Sequence, residues 1–424
     1  MAYRTIEDYR QYIDKNKGWT KAFQMAVDEL KKAGGGTLYV PAGVYETCSI
    51  VLESNMTLYL EAGSVLRFYD DPALYDRIQL AYVGKPLSMY TPLIYAKDAE
   101  NVTVTGTGTL DGQGEAWWKL RPAFRSKGLR RPHMICFDHC HSVRVENVSL
   151  INSPAWTVHP YCCENVLVQG VNIKNPADSP NTDGINPNSS KNVRIMNCVI
   201  DVGDDCIAIK SGTEDSENPA PCENIVISNC NMVHGHGGIV IGSEMSGSVR
   251  NVTVTGCVFQ DTDRGIRLKT RRKRGGAIEQ VSIQNIIMDR VLCPFIINSY
   301  YCCGEKGKEK HVWDKSPYPV DSSTPAVRDV SVSHLSVYRA GAAAGFIYGL
   351  AEMPVKDVRL SDCVISMDPG AEPGMPAMMT QLEPMKGQGF FIRNAENIEL
   401  HRVQIRNCEG ELVNADETAG FTVS

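Results

Sequence analysis

The chain has 424 residues, of which 43% are hydrophobic and 22% are charged. This composition is typical of a soluble globular protein with a large core. The net charge of −6 disfavours nucleic acid and an anionic membrane surface as partners, so a polyanionic substrate would need a local basic patch. Length alone favours two or three domains, but the repeats described below predict one.

The N-terminal segment, Met1 to Lys32, is rich in Asp, Glu and Lys and contains no apolar core of a signal peptide. No apolar run is long enough to span a membrane. The 15 cysteines are scattered through the chain. Without a secretion signal we interpret them as reduced, mostly buried thiols. We therefore expect a cytoplasmic protein.

An amphipathic helix is predicted near the N-terminus, because apolar residues from Trp19 to Leu30 recur at three- and four-residue steps. Three glycines, Gly34 to Gly36, end it, and Thr37 to Val40 follows as a strand. A helix placed before a long β array covers the first rung of the sheet, which would otherwise invite edge pairing. We assign residues 1–60 to this cap and the first coils.

From about residue 100 the sequence repeats one pattern, an opening polar residue followed by alternating apolar residues. Clear copies begin at Asn101, Asn165, Asn192, Asn224 and Asn251, and weaker ones at Ser142, Gln280, Asp329, Asp357 and Asn397. The central copies recur every 23 to 32 residues or so, which is a solenoid period. The alternation predicts strands, and helical periodicity is absent between the copies. We predict an all-β, right-handed parallel β-helix with regular coils over residues 100–415, forming a single catalytic domain over residues 1–424.

The asparagines that open successive coils suit left-handed backbone and can form stacked amide ladders. We interpret them as structural residues. Two segments, Leu110–Arg131 and Cys302–Val327, interrupt the rhythm. Long loops on a regular fold tend to be functional, so we interpret both as walls of a cleft, with unstructured decoration as the alternative.

Three carboxylates fall in two short motifs, Asn181–Gly184 and Gly203–Asp205. Asp and Asn are depleted in strands, and turn chemistry at loop ends explains them as well as catalysis does. For Asp204 and Asp205 to serve one cleft the backbone must turn, which Gly203 permits. Three acids aimed at one volume would raise at least one pKa and provide a proton donor. That is the acid and base machinery of glycoside hydrolysis.

The spacing of these motifs favours catalysis over turn chemistry. Asp204 lies 21 positions after Asp183, His236 lies 32 further on, and Arg267 another 31. These intervals are close to one coil, and neighbouring coils are about 4.8 Å apart. Four successive coils would then each place one chemical group on a shared face. A histidine between glycines is otherwise most often a turn residue.

The basic run that begins at Arg267 has three interpretations. Alternation places Arg267 and Lys269 on the same side of a strand, which suits a clamp on a substrate carboxylate. A solvated charge run or a nucleic-acid patch is the alternative for the whole run, and the overall acidity makes nucleic acid the weaker of these.

A second cluster has the spacing of metal ligands. Its members are His133, Cys136, His139, Cys140 and His141. The segment alternates like a strand and no second ligand cluster accompanies it, so a zinc site is disfavoured. We predict no metal and no cofactor.

Four motifs occur in a specific order: Asn181-Thr182-Asp183, Gly203-Asp204-Asp205, Gly235-His236-Gly237 and Arg267-Leu268-Lys269. In these motifs the chain resembles glycoside hydrolase family 28, the polygalacturonases, from about Gly34 to its end. Flanking segments look like the bacterial exo-acting branch, namely Asp111–Gly114 with Trp117-Trp118, Ile241–Glu244 and Arg271–Gly276.

The resemblance implies metal-free, inverting hydrolysis of α-1,4 linkages between galacturonate units. It makes Asp204 the general acid, Asp183 and Asp205 the activators of water, and His236 the support of the acid's protonation state. The substrate-binding residues that it implies are Arg267, Lys269, Asn181 and Tyr301, with Tyr300 as the alternative to Tyr301. The spacing of the coils is compatible with the distance between the two catalytic carboxylates in inverting enzymes and with the shorter distance in retaining ones. The expectation of inversion therefore follows from the resemblance alone.

Other functions stay open from the sequence. They are hydrolysis of rhamnogalacturonan or xylogalacturonan, a lyase with a calcium site and a basic proton abstractor, and a non-catalytic β-helix that binds carbohydrate or forms a structural spike. Because we find no signal peptide, we expect imported oligogalacturonides, trimmed from one end where the insertions block one side of the cleft. Oligomeric state is left open.

Overall fold

The computed structural model describes residues 2–82 and 85–424. The chain divides into two compact units, Met1–Asp204 and Asp205–Ser424, and each is described in turn. The single catalytic domain over residues 1–424 stays a prediction. Among the described residues, no helix combines the length and apolarity needed to cross a membrane.

The first unit consists mainly of short strands. They are β1 Ala2–Thr5, β2 Gly36–Val40, β3 Gly43–Thr47, β4 Ile50–Leu52, β5 Met56–Leu60, β6 Ser64–Phe68, β7 Arg77–Tyr82, β8 Lys85–Tyr90, β9 Ile94–Lys97, β10 Glu100–Gly106, β11 Thr109–Asp111, β12 Ile135–Asp138, β13 His141–Glu146, β14 Ser149–Ile151, β15 Val158–Tyr161, β16 Glu164–Gln169, β17 Asn172–Lys174, β18 Lys191–Met196 and β19 Val199–Val202. Its helices are α1 Thr20–Lys32, α2 Gly114–Ser126 and two 3-10 turns, Ile6–Tyr12 and Pro72–Leu74.

Three parallel ladders run through the first unit, one for each face of a coil. The first contains β2, β5, β10, β13, β16 and β18, the second β3, β6, β11, β14, β17 and β19, and the third β4, β9, β12 and β15. Equivalent valines stack in register, as Val143, Val166 and Val193 do. Each fully buried side chain of this kind contributes about 1.5–3 kcal/mol.

Helix α1 confirms the predicted N-terminal cap. Its apolar stripe is buried, with Phe23, Ala26 and Leu30 at 0% exposure. Gly34 and Gly35 take positive φ directly after it, as the three glycines predicted, and β2 begins at Gly36.

The segment Leu110–Arg131 is not unstructured, although the sequence between the repeats showed no helical periodicity. It contains helix α2, whose Trp117 is fully buried. That indole packs edge-on against Tyr75 and Tyr90. Phe124, seven residues further along the same helix, is buried as well.

The second unit continues the same architecture. Its strands are β20 Ile207–Ile209, β21 Cys222–Ser228, β22 Asn231–His234, β23 Ile239–Gly242, β24 Val249–Thr255, β25 Val258–Gln260, β26 Arg264–Lys269, β27 Ala277–Asp289, β28 Cys293–Asn298, β29 Ala326–Ala340, β30 Ala343–Tyr348, β31 Val355–Met367, β32 Gln388–Arg406, β33 Val413–Ala419 and β34 Thr422–Val423. The segment between β28 and β29 holds a 3-10 turn, Glu305–Lys308, and the short helix α3, Lys310–Trp313.

Two long parallel ladders define the second unit. One joins β21, β24, β27, β29, β31 and β32, and the other joins β20, β23, β26, β28, β30 and β32. Parallel connections of this kind are right-handed. The predicted fold class, an all-β right-handed parallel β-helix with a short capping helix, is confirmed.

The repeated asparagines have the structural role that the sequence predicts. Asn101, Asn165, Asn192, Asn224 and Asn251 all have φ near +57°, between 55° and 59°. Their amides also bond along the stack, since Nδ2 of Asn251 donates to Oδ1 of Asn224 at 3.1 Å. Asn opens each coil because it tolerates the left-handed backbone conformation there, and not because it has a catalytic role.

Candidate active site

In the first unit, Asp183 lies in a coil that extends the third ladder, where Ile185 bridges to Val158 of β15. The side chain of Asp183 is buried at 3% exposure. Its Oδ2 accepts a hydrogen bond of 2.9 Å from Nδ2 of Asn186. The amide therefore fixes the orientation of a carboxylate that the fold has removed from bulk water.

Asp204 is the partly exposed acid of this unit, and Asn181 lies beside it. Nδ2 of Asn181 donates to Oδ2 of Asp204 at 3.4 Å. The side chain of Asn181 is itself oriented by Arg131, whose Nη2 donates to Oδ1 of Asn181 at 3.0 Å. Sequence reasoning missed Arg131, because it is the last residue of an insertion and lies 50 residues before Asn181.

The two acid motifs of the first unit are bonded to each other. The backbone N–H of Gly203 donates to Oγ1 of Thr182 at 3.3 Å. Gly203 allows its backbone to pass close to that of Ser179, rather than to form the turn that we expected. A Cβ at this position would lie 2.4 Å from the carbonyl oxygen of Ser179. This bond holds together the two segments that carry Asp183 and Asp204.

In the second unit, Asp205 is paired with the two cations predicted to lie on one side of β26. Its Oδ1 accepts from Nη1 of Arg267 at 3.2 Å, and its Oδ2 accepts from Nζ of Lys269 at 2.7 Å. All three side chains are nearly inaccessible, at 3%, 3% and 6% exposure. The alternation argument is confirmed, and the predicted clamp residues already share one carboxylate.

The charges around Asp205 determine its protonation. Burial by itself raises the pKa of this carboxyl, but the charges of Lys269, Arg267 and Lys210 outweigh it and hold the pKa well below the usual range. Burial lowers the pKa of Lys269, as does the charge of Arg267, while Asp205 opposes both. We expected crowding to raise the pKa of at least one of the three acids, and Asp205 is not that acid, because cations surround it.

His236 forms a pair with a carboxylate that the sequence analysis did not single out. Nδ1 of His236 lies 2.7 Å from Oδ2 of Asp263. An ionised carboxylate only accepts, so Nδ1 carries the proton in this pair. Asp263 also accepts from Nη1 of Arg264 at 3.2 Å. Burial raises the pKa of Asp263, but the hydrogen bond from His236 and the charge of Arg264 lower it overall.

Further residues of the second unit contact the cations. The ring of Tyr301 lies 5.5 Å from the guanidinium carbon of Arg267 and 5.1 Å from Nζ of Lys269, whereas Tyr300 is buried beneath Arg272. This placement favours Tyr301 over Tyr300 as the residue beside the clamp. Nη1 of Arg267 also donates weakly, at 3.5 Å, to the backbone carbonyl of His236.

A buried ion pair that the sequence analysis missed supports this cluster. Nζ of Lys210 lies 2.9 Å from Oε2 of Glu244. Burial raises the pKa of Glu244, but the charge of Lys210 and its hydrogen bond lower it overall. The same Lys210 charge acts on Asp205, so Glu244 holds a cation near the predicted base.

The residues with zinc-like spacing do not converge on one point. Nδ1 of His139 bonds to Asp138 at 2.6 Å, and His141 bonds to Ser142 and Asn165, both at 2.9 Å. Sγ of Cys140 donates to backbone carbonyls. His133 stacks on Trp156. Cys136 lies in β12 and His141 begins β13, while His139 and Cys140 lie between these strands, so the segment is not the single alternating strand that we expected.

Both oxygens of Asp205 accept hydrogen bonds from cations. The side chains described above can transfer a proton and bind an anion. An ionised carboxylate, a histidine with a fixed tautomer and two buried cations are the available groups.

Comparison with known proteins identifies what these features are similar to. The profile described as Glycosyl hydrolases family 28 matches residues 80–316. The chain is 38% identical over 298 residues to a probable polygalacturonase of Vitis vinifera, covering 66% of this chain and 60% of that protein. It is 32% identical over 380 residues to a polygalacturonase of Chamaecyparis obtusa, covering 86% of this chain and 67% of that protein.

Among solved structures, a hyperthermoactive exopolygalacturonase from Thermotoga maritima superimposes with a TM-score of 0.79 at 30% sequence identity. The match covers 96% of this chain and 92% of that chain. The chain spans 60% of the length of the Vitis relative, so the activity of the longer plant protein does not transfer to it directly.

Proposed function

Because the chain belongs to glycoside hydrolase family 28, we propose that it hydrolyses α-1,4 linkages between galacturonate units of pectic oligosaccharides. The observation that carries the proposal is the environment of Asp205. A buried carboxylate that Lys269 and Arg267 hold in the ionised state can accept a proton from water but cannot supply one. A separate acid is then required, and the adjacent residue Asp204 is partly exposed and bonded to an amide.

We assign the roles as follows. Asp204 donates its proton to the glycosidic oxygen as the bond to the anomeric carbon breaks. Asp183 and Asp205 orient a water molecule and take its proton as its oxygen attacks that carbon from the opposite face. This sequence inverts the anomeric configuration. His236, held by Asp263, supports the protonation state of the acid.

Substrate binding is assigned to four residues, Arg267, Lys269, Asn181 and Tyr301. An ammonium has three donors and a guanidinium five, so both cations retain donors beyond those that contact Asp205. A galacturonate carboxylate can share them, as charge-assisted bonds to carboxylates are strong and directional. Tyr301 and Asn181 then contact the sugar ring and its hydroxyls.

The test is to incubate the protein and its Asp204→Asn variant with defined oligogalacturonides and to follow products by NMR. We expect the variant to lose about 10²–10⁴-fold in turnover, the usual contribution of a positioned acid, while its affinity for the oligomer is retained. Asp178→Asn, at an exposed site five residues before Asp183, is the matched control and should stay fully active. A variant with near-normal turnover would refute the assignment of Asp204.

We further propose exo action on short oligomers. The relative from Thermotoga maritima is described as an exopolygalacturonase at 30% identity. The insertion that follows β28, which we interpret as a wall of the cleft, is held by Arg272, which donates to the carbonyl oxygens of His311, Asp314 and Ser316. The same NMR experiment decides the matter, because a ladder of mid-chain fragments would rule out stepwise release of monomer or dimer.

We propose that the protein works in the cytoplasm, on imported oligomers. This rests on its 15 cysteines, which are reduced thiols and of which most are buried. Reduced thiols of this number suit a reducing compartment. Activity found only outside the cells after fractionation would contradict the proposal.

A further inference from the structure

Arg131 links segments of the first unit that precede successive strands of its third ladder. Its side chain is buried, at 6% exposure. Its Nη1 donates to the carbonyl oxygens of Pro154 at 2.7 Å and of Pro180 at 2.9 Å, and its Nη2 donates to Oδ1 of Asn181 at 3.0 Å. One end of the guanidinium thus contacts backbone carbonyls, and the other contacts the side-chain amide of Asn181.

The bond from Arg131 determines which way the amide of Asn181 points. A side-chain amide has an oxygen that accepts and a nitrogen that donates, and its two ends have nearly the same shape. A guanidinium only donates, so the end of the amide that faces Arg131 must be the oxygen. The nitrogen consequently faces Asp204, and Nδ2 of Asn181 donates to Oδ2 of that carboxyl group at 3.4 Å.

The direction of this amide affects where Asp204 carries its proton. A protonated carboxyl group has one oxygen that donates and one that accepts. Because Oδ2 of Asp204 accepts from Asn181, the proton of the acid is placed on Oδ1. If the amide were reversed, its oxygen would face Oδ2 and would draw the proton to that atom. Arg131 therefore selects between the two oxygens of the acid, and it does so through Asn181.

Bracing of the loops does not by itself account for this geometry. The two bonds from Nη1 already join Arg131 to Pro154 and Pro180. The bond from Nη2 goes to a side chain beside the residue that we assign as the acid. Asn181 also has a φ of 57°, a left-handed conformation that Asn adopts more readily than most residues. The amide is thus held at its backbone and at its oxygen, with its nitrogen directed at Asp204.

We propose that Arg131 is a positioning residue for the general acid. It fixes the amide of Asn181 as a donor to Oδ2 of Asp204 and thereby keeps the transferable proton on Oδ1. That proton passes to the glycosidic oxygen, which takes the electron pair of its bond to the anomeric carbon. Asp204 is left as a carboxylate, which the same amide stabilises until solvent returns the proton. The inference rests on the proposed function, because that function assigns the acid to Asp204.

The test is a double-mutant cycle, because a residue that acts through Asn181 loses its effect once the Asn181 side chain is removed. The wild type, Arg131→Lys, Asn181→Ala and the double variant are assayed with trigalacturonate for kcat and KM. A lysine keeps the positive charge but has no planar fork to hold two partners in fixed directions. We expect Arg131→Lys to lower kcat about 10–100-fold, a part of the 10²–10⁴-fold that a positioned acid contributes.

The cycle separates positioning of the acid from bracing of the loops. We expect the double variant to have the kcat of Asn181→Ala, so that the two losses do not multiply. Arg131→Lys should leave KM unchanged, because an interaction that acts only on proton transfer lowers kcat and kcat/KM equally. Two losses that multiply, or a rise in KM without a fall in kcat, would overturn the inference.

Arg144→Lys is the matched control, because Arg144 lies on β13 of the same unit and is 54% exposed. It should have the kcat and KM of the wild type. Arg131→Gln is assayed in the same cycle, with thermal unfolding of every variant, so that the result does not depend on one protein that folds poorly. A glutamine amide can donate or accept and so no longer determines the direction of Asn181. We expect it to lower kcat as Arg131→Lys does.

The inference and the proposed function fail separately. Hydrolysis of trigalacturonate by the wild type, combined with a normal kcat in both Arg131 variants, would overturn the inference alone. Absence of hydrolysis by the wild type would overturn the proposed function, and Arg131 would then have no acid to position.

Discussion

At the scale of single residues, Asp205 illustrates how neighbours determine chemistry. Its two oxygens contact Lys269 and Arg267 at 2.7 and 3.2 Å. These cations lower the pKa of the Asp205 carboxyl below its usual value, although burial acts in the opposite direction. A carboxylate in such a setting is a structural anchor for the cations as well as a candidate base. Both roles depend on its being ionised.

Asp205→Asn should therefore destabilise the protein strongly at neutral pH. The change leaves two buried cations without their carboxylate, which costs about 3–5 kcal/mol. The pKa of Asp205 in the folded protein lies below its value in the unfolded chain, which is about 3.9. The contribution of Asp205 to the free energy of unfolding is therefore complete above the unfolded value and is lost as the pH falls towards the folded one. Urea unfolding at pH 7 and at pH 3 should show a large difference from wild type at pH 7 and a smaller one at pH 3.

Asp416→Asn is the matched control for this experiment, because Asp416 is exposed on β33. It should unfold like the wild type at both pH values. An Asp205→Asn protein whose stability deficit is the same at pH 3 as at pH 7 would show that ionisation of Asp205 is not the source of the effect.

At the scale of elements, Arg272 is one of the side chains that hold the insertion after β28, together with Arg271 and Lys306. Arg272 is 4% exposed and forms a bidentate pair with Glu352, which is also 4% exposed. It also stacks over Tyr318, with its guanidinium carbon 4.4 Å from the ring centroid. Arg272 thus joins the insertion, which contains the 3-10 turn Glu305–Lys308 and helix α3, to the segment that follows β30.

Arg272→Met should release this insertion. Glu352 would be left buried without its partner, and we expect a loss of about 3–5 kcal/mol in the free energy of unfolding. Limited proteolysis with trypsin should cut near Lys306, Lys308 and Lys310 faster than in the wild type.

Arg328→Met serves as its control, because the pair of Arg328 with Glu279 is half exposed at the arginine. Exposed pairs of this kind contribute about 0–1 kcal/mol. Wild-type protection of the insertion in Arg272→Met would show that the insertion is held by other contacts.

For the molecule as a whole, the cysteines give the clearest expectation. The thiols stack along the coils with apolar residues, as Cys230 and Cys257 do at 0% and 1% exposure. Titration of the denatured, non-reduced protein with a thiol reagent should give all 15 thiols. A lower count would indicate disulfides and would contradict a cytoplasmic location.

The sequence by itself determined the fold class, the N-terminal cap and the role of the repeated asparagines. It also determined that Arg267 and Lys269 lie on the same side of their strand. These follow from local rules: period-two alternation, helical spacing, and the backbone preference of Asn for positive φ. The four family motifs could also be recognised in the sequence, because each consists of a few consecutive residues.

Only the tertiary structure decided which charges surround each acid. Asp263 beside His236, Lys210 beside Glu244 and Arg131 beside Asn181 are separated by 27, 34 and 50 residues in the chain. Such pairs produce no periodic pattern in the sequence, because each partner is a single side chain on a single coil. The low pKa of Asp205 and the orientation of Asn181 follow from contacts of this kind, because electrostatic energy depends on distance in space and on burial, neither of which a local pattern contains.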